Sequence, residues 1–158
     1  MRNRKFVLFV AVLAVGATFV GLRATAGGVT AAHEYNHVLQ VVVDGRNAIG
    51  TDGQRRAGDP DGFGTFSAVV SGTKLCYGFQ IVDIATPLAA HIHRGAPDEN
   101  GEVVVPLRAM KVGSRCKEIP RDVADSLLEK PSDFYVNVHT KRFPNGAVRG
   151  QLAHPERN

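Results

Sequence analysis

Apolar and polar residues alternate along much of this chain, with a period of two. Leu75, Tyr77, Phe79 and Ile81 are interleaved with Cys76, Gly78 and Gln80. Successive strand side chains point to opposite faces, so this spacing predicts a strand with one buried side. Val38 to Val43, VLQVVV, is β-branched and apolar and reads as an earlier strand. The stretch TFSAVVSGTKLCYGFQI sets two such runs around Ser71-Gly72-Thr73, a hairpin signal. PLAAHIHRG reads as the next strand, Asn100-Gly101 as a turn, and EVVVPL as the returning strand. Pro106 lacks an N–H, which puts that strand at an edge or ends it there. Phe134 to Thr140 and Ala147 to Leu152 form a last pair of strands about Pro144-Asn145-Gly146.

Three segments break the period. Asp44 to Gly64 is dense in Gly and Asp and predicts a long irregular connection. Arg108 to Pro120, which carries Cys116, is expected to be a loop. RDVADSLLEK predicts the one helix: Val123, Leu127 and Leu128 fall on one stripe, and Pro131 stops it. So short a helix must be held by docking. The expected fold is therefore all-β, an antiparallel Greek-key sandwich or barrel of about seven to eight short strands with one short helix. There is no internal repeat.

The N-terminus departs from this pattern. Arg2, Arg4 and Lys5 precede an apolar run from Phe6 to Leu22, and Ala24-Thr25-Ala26 supplies a small-x-small cleavage site. This is the layout of a secretory signal peptide. An uncleaved anchor is the competing reading, because about 17 apolar residues just span a bilayer. The expected organisation is a signal peptide at 1–26, an extension at 27–35, one domain at 36–153 and a tail at 154–158. The membrane enters only through the signal peptide before cleavage.

Removing the leader changes the charge. Residues 1–26 hold four basic residues and no acidic one, so 15 of the 19 Lys and Arg remain, against 15 Asp and Glu. The rest of the chain is formally neutral. Its basic residues appear as short pairs, Arg55-Arg56 and Lys141-Arg142, and not as a stripe, which excludes nucleic acid as a partner. In an exported protein the two cysteines, Cys76 and Cys116, suggest a disulfide. A loop of about 40 residues closed in this way stabilises by roughly 3–4 kcal/mol in the chain-entropy view.

Two of the six histidines, His91 and His93, are one residue apart and so share a strand face. Ile92 would face the other way with Leu88 and Ala90. Along the late strand Tyr135, Asn137 and His139 oppose Phe134, Val136 and Val138. If the apolar faces line the core, all three histidines point to the same kind of polar surface. His91 and His93 can then share one metal ion, with His139 as a third ligand if the strands are neighbours. Imidazoles suit Cu and Zn among others, so the ligands do not choose the metal. The same histidines serve equally well as brackets that bond turn carbonyls, and both readings stand at this point. Asn137 and Arg149 complete a polar cluster. His33, His37 and His154 are expected to be solvated. Asp59 and Asp61 in GDPDGFG lack the further oxygen ligands of a calcium loop and read as a turn. No GxSxG elbow marks a hydrolase nucleophile.

AHIHRGAPDENGEVVVPL and FYVNVHTKRFPNGAVRGQL resemble the two signature blocks of the chordin-type (CHRD) domain family, found in animal chordin and in many bacterial secreted proteins. GFGTFSAVVSGTKLCYGFQIVDIATPLAAHIHRG follows the family pattern too, so the resemblance spans Asn36 to Leu152. It implies an extracellular all-β module. It carries over no activity, catalytic residue or cofactor, and this chain lacks the cysteine-rich repeats through which chordin binds growth factors. A His-x-His strand with a late histidine is also similar to copper–zinc superoxide dismutases. Only His91, His93, His139 and Arg149 map onto that pattern, and no zinc-binding loop lies between Gly95 and Glu118. The resulting expectation is a secreted, non-enzymatic binding or structural module with a histidine site for Cu or Zn. The alternative is a redox metalloprotein of dismutase type. The partner would be an extracellular protein, a carbohydrate or a metal ion.

Overall fold

A computed structural model describes residues 37–155. The segments read as a leader at 1–26 and an extension at 27–35, with His33, and the end of the tail lie outside the described residues. The strands are β1 (Val38–Asp44), β2 (Phe63–Ser71), β3 (Lys74–Val82), β4 (Pro87–Arg94), β5 (Val103–Leu107), β6 (Val112–Glu118), β7 (Phe134–Thr140) and β8 (Val148–Gln151). One α-helix, α1 (Arg121–Glu129), precedes β7. All eight strands join one antiparallel sheet in the order β5-β4-β7-β8-β1-β2-β3-β6, curled into a half-barrel. Its two edges approach one another. Lys117 on β6 donates to the Pro106 carbonyl on β5 at 2.7 Å, and the Tyr77 hydroxyl accepts the Arg108 N–H at 2.8 Å. Pro106 sits on an edge strand, where its missing donor breaks no inner ladder.

The period of two sorts the sheet into an inner and an outer face. Phe66, Ala68, Val70, Leu75, Phe79 and Ile81 from β2 and β3 turn inward, together with Ala90, Ile92, Val136 and Val138 from β4 and β7. Helix α1 closes the core with Ala124 and Leu127, both buried, while Val123 and Leu128 are half-buried beside them. Its docking is helped by His154, whose ring nitrogens lie 3.0 Å from the Val38 carbonyl and 2.9 Å from that of Leu128. His154 is therefore a half-buried clasp and not a solvated residue. His37 likewise sits half-buried, 3.0 Å from the Val70 carbonyl.

Two further expectations are corrected. Residues 108–120 are not all loop, because Val112–Glu118 is the edge strand β6. Its side chains are almost all exposed, so no burial pattern marks it. Pairing with β3 makes it a strand, and Cys116 faces Cys76 directly across that ladder to form the disulfide. Leu88 does not join Ala90 and Ile92 in the core. The β4–β7 register shifts between Pro87 and Ala89, and Leu88 is 66% exposed. A bulge carries an extra residue, which reverses the alternation on one side of it.

Candidate metal centre

Antiparallel pairing of β4 with β7 sets His91 opposite Asn137, His93 opposite Tyr135 and Ala89 opposite His139. On the other flank β8 sets Arg149 opposite Asn137 and Gln151 opposite Tyr135. All these side chains leave the outer face of the sheet. An outer face is normally wet, yet Tyr135, Arg149, Asn137 and His93 are buried. Two turns roof them. The 95–101 turn comes down through the Gly101 N–H, which donates to the Tyr135 hydroxyl at 3.1 Å. The 141–147 turn offers the Pro144 carbonyl to His139. Gly101 must be glycine, because a Cβ there would lie 1.5 Å from the Arg94 carbonyl oxygen.

The structure brings His91, His93 and His139 together, with one nitrogen from each within 4.8 Å of the others. His91 Nδ1 is 3.1 Å from His139 Nε2. His93 Nδ1 lies 2.9 Å from the Gly101 carbonyl, and His139 Nδ1 lies 2.8 Å from that of Pro144. A carbonyl only accepts, so in a neutral ring each of these Nδ1 atoms carries the proton. Both Nε2 atoms are then lone pairs, and both point at Asn137, whose amide is 3.1 Å from His93 and 3.0 Å from His139. Two lone pairs need two donors. The Asn137 NH2 supplies them when the amide is turned with nitrogen toward the rings. Metal-binding histidines characteristically give their second ring N–H to a backbone carbonyl, which fixes tautomer and ring orientation. Two of these three do so.

Electrostatics act in the same direction. Burial lowers the pKa of His91, and the neighbouring His139 and His93 lower it further. Burial also lowers that of His139, against the bond to Pro144, with His93 adding to the fall. Both shifts favour the neutral rings, the form that offers a metal its lone pairs. The donor set of three imidazoles thus fits a borderline d-block ion.

Residues 39–152 match the CHRD domain family. The chain belongs to that family. No curated protein and no solved structure matches it. Within this CHRD domain, Asp59 lies in a turn where its carboxylate accepts from the Asp61 N–H at 3.5 Å, and among the described residues it belongs to no cluster of three metal-ligating side chains. Among the described residues no helix is long and apolar enough to cross a membrane.

Arg149 does not join the histidines. Its guanidinium lies 3.5 Å from the Tyr135 ring centroid, while His93 stacks on that ring at 4.8 Å and 8°. Tyr135 thus lies between the arginine and His93. Sequence reasoning missed this spacer role, although it placed Tyr135 on the right face. It also missed Gly101, Pro144 and Asn100. Asn100 clamps the 95–101 turn by donating to the Ile49 and Gly50 carbonyls, each at 3.0 Å. Apart from the NG dipeptide, which marked only a turn, nothing local signals that bond, because its partners are about 50 residues away.

Proposed function

We propose that this CHRD domain is an exported, non-enzymatic module that holds one copper or zinc ion through His91, His93 and His139. The observation that supports it most is the pair of Nδ1–H bonds to Gly101 and Pro144, which leave two Nε2 lone pairs converging on the Asn137 amide, a neutral donor that an arriving ion would displace. Bound metal would tie β4, β7 and their two roofing turns together, adding stability by mass action. Export agrees with the basic, apolar and small-residue leader at 1–26 and with the Cys76–Cys116 disulfide, a bond that persists in oxidising compartments. The dismutase alternative loses support from Arg149, which stands behind Tyr135 and not over the histidines.

The test is metal titration of the exported protein with Cu(II) and Zn(II), followed by elemental analysis. The expected result is one ion per chain, with affinity falling at least about tenfold in His91→Ala and in His139→Ala, the scale already seen for loss of supporting groups. Substoichiometric metal that neither substitution changes would make the histidines hydrogen-bonding brackets only.

A further inference from the structure

A separate cavity of about 430 Å³ opens on the other side of Tyr135, between the 45–58 connection and the 95–101 turn. Small-molecule sites commonly enclose about 300–1,000 Å³. Four arginines line it, Arg46, Arg55, Arg56 and Arg149, with Asp98 as the one carboxylate. Arg46 is paired with Asp44 and Arg55 with Asp98. Arg56 and Arg149 make no close ion pair among the described residues, although Asp98 acts on Arg149 and Arg56 on Asp44 from a greater distance. Arg149 is 3% exposed, and its contacts are all neutral: the Ala96 carbonyl at 2.7 Å, Asn100 Oδ1 at 3.5 Å and the Tyr135 ring. Buried charges are ordinarily paired, so a buried guanidinium beside a cationic cavity calls for an anion.

Gln151 supplies a second, independent feature. Its Nε2 donates to the Gly95 and Ser132 carbonyls, both at 2.7 Å. Its Oε1 is buried with no partner among the described residues, and the residue lines the same cavity. An orphaned acceptor next to guanidinium groups that no carboxylate contacts directly matches a ligand that carries both an oxyanion and a hydroxyl donor.

We infer that this cavity binds a small hydroxylated organic anion, of the size of a monosaccharide acid. The oxyanion sits on Arg56 and Arg149, and a ligand hydroxyl donates to Gln151 Oε1. The site stands apart from the metal reading, since Tyr135 divides the two. The experiment is calorimetric and amide-NMR titration of the full domain with glucuronate, glucose 6-phosphate and glucose, on both the wild type and a His91→Ala background. Saturable binding of either acidic sugar, at least about tenfold tighter than glucose and weakened by added salt, is expected. The two acids distinguish a carboxylate from a phosphate ligand. Arg56→Ala, an exposed position, should weaken that binding about tenfold or more with the fold intact, and Arg149→Lys should weaken it by removing the planar fork. The inference fails if neither acid binds up to about 20 mM. It also fails if glucose binds as tightly, or if Arg56→Ala changes nothing. Persistence of binding on the His91→Ala background separates this outcome from that of the metal centre.

Discussion

The two ends of this sheet follow one rule of alternation and reach opposite results. At the β2–β3–β6 end the inward side is a packed core and the outward side stays open. Phe63, Val69 and Val82 there are about half exposed, at 52%, 47% and 47%. At the β4–β7–β8 end four outward residues are as hidden as core: Tyr135 is 1% exposed, Arg149 3%, Asn137 5% and His93 8%. The strands of the two ends do not differ in kind. The turns do. At the first end a tight hairpin at Ser71–Lys74 adds no cover, and the edge is secured by the Cys76–Cys116 disulfide. At the second, the 95–101 and 141–147 turns fold back over the sheet and exclude water. A strand pattern decides which way a side chain points, and connections decide whether water meets it. Only the second condition lowers a histidine pKa or leaves an arginine buried.

Substitutions sharpen this contrast. Phe66, fully buried and tilted against Phe79 at 5.0 Å, belongs to the core that both ends share. Phe66→Ala should cost about 3–5 kcal/mol in urea unfolding, the largest single effect expected. A loss under about 1 kcal/mol would mean that the half-barrel interior is loosely packed. The disulfide comes next. Cys76→Ser with Cys116→Ser should cost about 3–4 kcal/mol. Hydrogen exchange should show β6 losing protection before β4 and β7, since β6 buries almost nothing of its own. Uniform loss of protection across both ends would contradict the local role assigned to the bond.

The histidines separate support from ligation. His93 is buried between Gly101, Asn137 and Tyr135. His93→Ala should therefore destabilise the metal-free protein by about 1–3 kcal/mol, the cost of orphaning its partners. His91 has its one hydrogen bond with His139, so His91→Ala should stay within about 0.5 kcal/mol. Equal costs for the two would erase the distinction between the roofed ring and the ring at its margin.

The smallest effect is the pH response. Burial and the neighbouring rings hold the folded-state pKa values of His91 and His139 below the ordinary imidazole value of about 6.5. As pH falls through about 6.5 the unfolded chain takes up protons that the folded one refuses. Stability of the metal-free protein should therefore decline from that point downward and level off once the folded rings protonate. Strands β2, β3 and β6 hold no histidine, so the slope should flatten in the His91→Ala, His139→Ala double variant. A slope unchanged in that variant would place the titrating groups elsewhere.

Much of the fold was legible because burial on one face writes itself into a period of two, which Phe63–Ser71 and Lys74–Val82 show plainly. Val38–Asp44 and Phe134–Thr140 were legible from their β-branched and aromatic residues, and their boundaries match the reading to within a residue or two. β6 was illegible for the same reason. An edge strand with exposed side chains carries no burial pattern, and its strand conformation comes from a neighbour 40 residues away. Leu88 misled because a bulge lets one residue escape the alternation, and bulges are set by pairing.

The chain alone determined that His91, His93, Asn137 and His139 leave the outer side of their strands, since period and apolar partners suffice for that; the face of Arg149 came from the β7–β8 register. It also determined the family, through the two blocks that end at Leu107 and Leu152. Tertiary structure decided the rest. It set β4 beside β7, so that nitrogens 48 residues apart lie 3.1 Å from each other. It laid the Gly101 and Pro144 carbonyls against the rings, and it slid Tyr135 between His93 and Arg149. Register, loop closure and ring stacking depend on distances between remote segments, and no local sequence preference encodes a distance of that kind.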